Sequence, residues 1–162
     1  MAKLLGEALN LPVVELDECV KARLGCSIAE YFHTHGEAAF RDVESAELAA
    51  AVELPRCVLS TGGGVILREK NRALLRATGD VFWLSAPPEF LARNIDADTA
   101  TAQNRPKFTD RATIDEVRTL LAQREELYRS TAHATIDASR EPNVVAAEII
   151  ARGRNSGRNP TA

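Results

Sequence analysis

Apolar residues in this chain fall into two kinds of run. Four are short: Pro12-Val-Val-Glu15, Cys57-Val-Leu-Ser60, Asp80-Val-Phe-Trp-Leu84 and Ala134-Thr-Ile-Asp137. Three of them stay apolar through their centres instead of alternating with polar residues, the pattern of strands covered on both faces. The segments between them read as helices. Residues 36–52 carry Glu37, Glu44 and Glu47 among alanines, and residues 68–78 repeat Arg and Leu at helical spacing. Pro87-Pro88 opens another helix, since proline is tolerated in a first turn. Thr113 to Glu116 resembles a capping box, and Pro142 opens a last helix to about Ala151. Strands alternating with helices predict an α/β fold, a parallel sheet between helical layers.

Two stretches break this rhythm. Residues 95–112 are polar, have no helical period and contain Asn104-Arg105-Pro106-Lys107. A polar loop of that length inside a compact domain predicts a lid over a site. Residues 153–162 read as a disordered tail, which leaves 1–152 as a single domain. A chain of 162 residues is long enough to bury a core, and its 45% apolar content excludes general disorder. A net charge of −3 gives no basic field for nucleic acid. No apolar run is long enough to span a membrane, and the first residues lack the apolar core of a signal peptide. Cys19, Cys26 and Cys57 are odd in number and show no C-x-x-C spacing, which suits a reduced, cytoplasmic protein.

Ligands of open parallel sheets bind beyond the carboxyl ends of the strands. The first strand ends in Glu15-Leu-Asp17, and the second runs into Thr61-Gly62-Gly63-Gly64, where the backbone can approach a ligand closely. The plainer readings are a helix cap for Asp17 and a simple turn for the glycines; the two features together favour a site. Arg124 stands out for another reason. Val117, Leu120, Leu121 and Tyr128 form one apolar stripe, and at 100° per residue Arg124 falls in its middle. A guanidinium there needs an anionic partner, either an internal ion pair or a carboxylate or phosphate ligand. Arg41 lies opposite the Phe40/Val43 face and reads as a solvated arginine. His33 and His35, two apart on a helix, point away from each other and cannot share a metal. The three cysteines read as small buried hydrophobes, and Trp83 as core rather than a stacking platform.

Four pieces in order, Gly36-Glu-Ala-Ala-Phe-Arg41, Leu59-Ser-Thr-Gly-Gly-Gly64, Arg105-Pro106 and Arg124-Glu-Glu-Leu-Tyr128, make the chain resemble the shikimate kinase family from Lys3 to about Ile150. The resemblance implies a P-loop kinase fold of the nucleoside-monophosphate-kinase type. It also implies transfer of the γ-phosphoryl of ATP to the 3-hydroxyl of shikimate with Mg²⁺, by a monomer. It implies that Asp17 orients the attacking hydroxyl and acts as its base. Arg41 and Arg124 would grip the substrate carboxylate, and the backbone at Gly62, Gly63 and Gly64 would touch the ring. Arg105 would neutralise charge on the transferred phosphoryl while the closed lid excludes water. Arg140 would pack on adenine.

Two departures qualify the match. Glu15 stands where the family has an aspartate near the magnesium, and its longer side chain changes the carboxylate's reach. The G-x-x-x-x-G-K-[ST] loop that cradles phosphates is absent, with the central strand that precedes it. A parallel sheet without that strand would keep a strand-wide slot, so the expectation is an incomplete gene product or a gene model begun too late. Met1 fits this, because it aligns where the family often has valine and GUG can serve as a start codon. Taken literally, the chain would bind shikimate without kinase activity. The alternatives are a non-catalytic or regulatory relative, or another small-molecule kinase of the same fold such as a gluconate kinase; the triple glycine and Phe40-Arg41 argue against the last.

Overall fold

A computed structural model of the protein describes residues 1–97 and 114–154. Helix α1 (Ala2–Leu9) ends on Asn10, whose left-handed backbone (φ 52°) returns its N–H to the last turn of the helix. The chain then doubles back so tightly into β1 (Val13–Glu15) that a Cβ on Gly6 would overlap the Val13 side chain. β1 runs straight into α2 (Leu16–Leu24), which closes on Gly25 in the left-handed conformation. Ser27 caps α3 (Ile28–Val52), its hydroxyl accepting from the Glu30 N–H at 3.2 Å. α3 kinks at Gly36, where φ is 81°, so the helix anticipated over 36–52 is the second limb of a longer one. There follow β2 (Val58–Ser60), a 3₁₀ turn (Val65–Leu67), α4 (Glu69–Thr78), β3 (Phe82–Ser85), α5 (Pro88–Ala97), α6 (Ile114–Thr131), β4 (Ala134–Asp137) and α7 (Pro142–Arg154).

The four strands lie within two residues of the bounds their apolar runs suggest. At the edges of the two irregular stretches the helices run further than anticipated. α5 continues through Ala97, so the start of the expected 95–112 lid is helical, and the rest of it, Arg105 included, lies outside the described residues. α7 continues to Arg154, so the first residues of the expected tail are helical, and 155–162 lie outside as well. Thr113, the cap anticipated for α6, also falls outside.

Both strand pairs are parallel. β1 pairs with β2 in the register Val13↔Val58, Val14↔Leu59, Glu15↔Ser60, and β3 pairs with β4 from Phe82↔Ala134 to Ser85↔Asp137. Parallel neighbours need a crossover, supplied by α2–α3 for the first pair and by α5–α6 for the second. Among the described residues the two pairs form separate two-stranded sheets.

Two main cores hold these halves. Leu16, Val20, Ile28, Phe40, Leu48, Val65, Ile66 and Leu75 tie α2, α3, the 3₁₀ turn and α4 together. Leu5, Ile136, Val145, Ala146 and Ile149 tie α1 and α7 to β4. Each such fully buried aliphatic contributes about 1.5–3 kcal/mol of transfer free energy. A smaller cluster, Ala92 with Val117, joins α5 to α6. The first core reaches Leu127 and Tyr128 of α6 and so fixes that helix against the end of β2.

Candidate active site

The register Glu15↔Ser60 brings the carboxyl ends of β1 and β2 side by side. Just past those ends lie Asp17, in the first turn of α2, and Gly62–Gly64, which lead into the 3₁₀ turn. Asp17 is not a cap. The N-cap position belongs to Glu15 and no side chain closes it, so the capping reading of Asp17 fails. Its carboxylate instead occupies the positive end of the helix dipole, half-buried, beside the glycine turn.

Each of the three glycines is crowded by a different side chain. A Cβ at Gly62 would stand 2.9 Å from Asp17 Oδ1, one at Gly63 would stand 2.8 Å from the Tyr128 hydroxyl, and one at Gly64 would stand 2.7 Å from Arg41 Cζ. None of the three adopts a positive φ. Their glycine character therefore comes from crowding by α2, α6 and α3, and not from turn conformation. The simple-turn reading does not explain them.

Arg41 overturns its sequence reading. It is 9% exposed rather than solvated. Its Nη1 donates to both oxygens of Glu44, at 2.8 and 2.7 Å, and its Nη2 reaches Glu37 at 3.4 Å. The Phe40 ring lies 5.0 Å from its Cζ. Its Nε is buried and has no hydrogen-bond partner among the described residues, so there the guanidinium retains a donor withdrawn from water. Arg124 is buried, as its place in the apolar stripe requires, at 8% exposure. Among the described residues it forms no ion pair, and its acceptor is the Gly63 carbonyl, at a long 3.5 Å. The internal ion pair that would have made it purely structural is not found there.

Glu44 and Tyr128 belong to the same cluster, and sequence reasoning assigned neither to it. Burial pushes the Glu44 carboxyl above its ordinary value of 4.5; Asp17 adds to the rise, while Arg41 and Arg124 oppose it. Four charged groups from three helices thus share one field. The Tyr128 hydroxyl donates to the Gly63 carbonyl at 2.8 Å. The signal for Glu44 was present in the sequence: Arg41, Glu44, Ser45 and Leu48 repeat at i, i+3, i+4 and i+7, and all four are buried.

The remaining candidates separate from this cluster. Arg140 follows β4, where its Nε donates to the Asp137 carbonyl at 3.2 Å and its Nη2 pairs with Glu148. Beside it, Ser85, Ala86, Pro87, Thr135, Asp137 and Ser139 line an open groove of about 550 Å³. Among the described residues no three His, Cys, Asp or Glu side chains gather as a metal site, and His35 stacks on Tyr31. Cys19, Cys26 and Cys57 are half-buried free thiols, less enclosed than anticipated. Trp83 is also only half-buried, and it stacks on Tyr128 at 5.6 Å, so the core reading of Trp83 is corrected to that of a ring partner.

Residues 1–153 match the shikimate kinase family model. The chain belongs to the shikimate kinase family. A shikimate kinase of Rhodopirellula baltica is 40% identical over 151 residues, spanning 93% of this chain and 81% of that one. One from Oleidesulfovibrio alaskensis is 41% identical over 148 residues, 91% and 86% of the two chains. Among solved structures, a shikimate kinase from Acinetobacter baumannii in complex with shikimate superimposes with a TM-score of 0.86 at 28% identity, covering 98% and 87%. Membership assigns the chain to the P-loop kinase fold and to ATP-dependent phosphorylation of shikimate. No helix among the described residues is long and apolar enough to cross a membrane.

Proposed function

We propose that Asp17, Arg41, the Gly62–Gly64 backbone and Arg124 form the acceptor half of the kinase site and hold shikimate by its carboxylate and ring hydroxyls. The observation that carries this is Arg124, a buried cation whose hydrogen-bond acceptor among the described residues is a neutral carbonyl at 3.5 Å. A carboxylate beside Arg124 would take up the donors that its long contact to Gly63 leaves, with Arg41 the second cation proposed to hold it. Asp17 lies at the other end of the glycine turn, suited to accept the proton of the attacking 3-hydroxyl and direct its lone pair at the γ-phosphorus of ATP. Arg105, outside the described residues, is assigned to the charge that develops on the transferred phosphoryl, and Arg140 to the adenine beside the groove at β4.

Mg²⁺ takes hard oxygen donors with retained waters, and Glu15 and Ser60, paired in register at the strand ends, offer such donors. Bound there, the ion would neutralise phosphate charge; Glu15 is its proposed ligand. The sequence contains no G-x-x-x-x-G-K-[ST] run, so residues 1–162 are proposed to supply the acceptor half more fully than the phosphate cradle. The three free thiols suit a reducing, cytoplasmic setting.

Calorimetric titration of the chain with shikimate, with shikimate methyl ester and with ATP tests this reading. Shikimate is expected to bind and the ester to bind much more weakly, because esterification removes the anion. Arg124→Met is expected to weaken shikimate about 100-fold, the order of a lost bidentate charged contact. Equal affinity for acid and ester would show that no carboxylate sits between the arginines.

A further inference from the structure

We propose that Tyr128 is a positioning residue of the acceptor site: its hydroxyl sets the direction of the Gly63–Gly64 peptide and is itself the reason position 63 is glycine. This deepens the acceptor-site reading and rests on it, because the peptide in question is one assigned to shikimate.

The argument starts from the freedom of the turn. Three consecutive glycines leave the peptides between them free to flip, since no Cβ opposes either orientation. A flip of the Gly63–Gly64 peptide exchanges the side that presents a carbonyl for the side that presents an N–H. In a planar trans unit the two point in opposite directions, so a group that holds one aims the other. The Tyr128 hydroxyl holds the carbonyl at 2.8 Å from α6, and the Gly64 N–H is therefore directed away from α6. The same bond spares Arg124. With the hydroxyl satisfying the carbonyl, the guanidinium stays at 3.5 Å and keeps its donors for an anion.

The ring that carries this hydroxyl is placed from the other half of the molecule. Trp83, on β3, stacks on Tyr128 with 5.6 Å between centroids and 17° between planes, and Arg129 covers the indole at 5.8 Å. Removing the hydroxyl alone leaves this stack intact.

The glycine at 63 supplies an independent observation. Its φ lies outside the left-handed region, so alanine meets no backbone objection there. What an added Cβ meets is the Tyr128 oxygen at 2.8 Å; the next atom of that side chain, Cζ, is 3.9 Å away, an ordinary contact. Gly63 and the Tyr128 hydroxyl are thus coupled, and the cost of an alanine disappears when the oxygen is gone.

Four proteins test the proposal: the parent, Tyr128→Phe, Gly63→Ala and the double variant, each titrated with shikimate and unfolded in urea. Trp83 is the only tryptophan, so its emission reports the ring stack. Tyr128→Phe is expected to weaken shikimate about fivefold, the size of one net hydrogen bond, with emission and urea midpoint unchanged. Gly63→Ala is expected to lower both affinity and urea midpoint, and the double variant to match Tyr128→Phe in both. Equal affinities for the parent and Tyr128→Phe would overturn the proposal, as would an alanine cost that is the same with and without the hydroxyl. A loss of affinity that travels with shifted emission and a lower midpoint would overturn it too, marking Tyr128 as a packing ring. A parent that binds no shikimate defeats the acceptor-site reading and this inference together, whereas binding by the parent and Tyr128→Phe alike defeats the inference alone.

Discussion

Around the glycine turn Arg41, Glu44 and Arg124 are withdrawn from water, whereas at the end of β4 Asp137, Arg140 and Glu148 meet nearer the surface. The two groups follow different physics. Water screens the outer cluster, and its hydrogen bonds hold the Glu148 and Asp137 carboxyls below their usual range, chiefly through Arg140 for the first and Ser139 for the second. Around Glu44 burial outweighs two nearby arginines, and its carboxyl is pushed up instead. The difference lies in what satisfies each charge. Exposed pairs are already satisfied by one another and by solvent, while the buried arginines keep donors that nothing among the described residues fully takes up.

The largest expected effect comes from breaking the buried pair on one side only. Glu44→Ala leaves the Arg41 guanidinium buried and should cost about 3 kcal/mol in a urea titration, whereas replacing both by apolar residues should recover most of that. Recovery that fails would mean the site is held by packing and not by charge balance.

Next in size is a change of opposite sign. Arg124→Met, besides losing shikimate, should stabilise the ligand-free chain by about 1 kcal/mol, because it removes a buried and poorly compensated cation. That corresponds to a melting temperature higher by about 2–4 °C. A lower melting temperature would show that Arg124 is part of the scaffold.

A smaller effect separates the two regions by pH. Because folding raises the Glu44 pKa, the folded state holds its proton more tightly than the unfolded chain does. The stability this contributes is fully present below pH 4.5 and is lost as pH rises through the elevated folded value. Glu44→Gln cannot titrate, so the parent's margin over it should narrow as pH rises from 4.5 upward. A margin that widens would put the dominant influence on Arg41 rather than on burial.

The smallest expected effect is in the outer cluster. Arg140→Ala should leave the urea midpoint unchanged within measurement error, since its partners are solvated. A resolvable loss there would erase the contrast.

The chemistry was legible where it broke a periodic pattern and hidden where it did not. Arg124 is visible because an apolar stripe asks for another residue at its position, and it lies in the interior. Arg41 was misread because Phe40 and Val43 define only one edge of the buried face. The stripe running back from Leu48 through Ser45 and Glu44 to Arg41 is the other edge, and polar residues disguised it. Tyr128 reads as apolar filling in the sequence because nothing in its spacing reveals that its hydroxyl ends on Gly63.

Strand positions, the parallel α/β arrangement and the family were determined by the sequence by itself, because continuous apolar runs and helical periods are local properties of the chain. Only the tertiary structure decided why positions 62, 63 and 64 are glycine. Their would-be Cβ atoms collide with Asp17, Tyr128 and Arg41, three side chains from three different helices. Steric exclusion between residues up to 65 positions apart leaves no periodic trace, and it exists only once the helices have packed around the ends of β1 and β2.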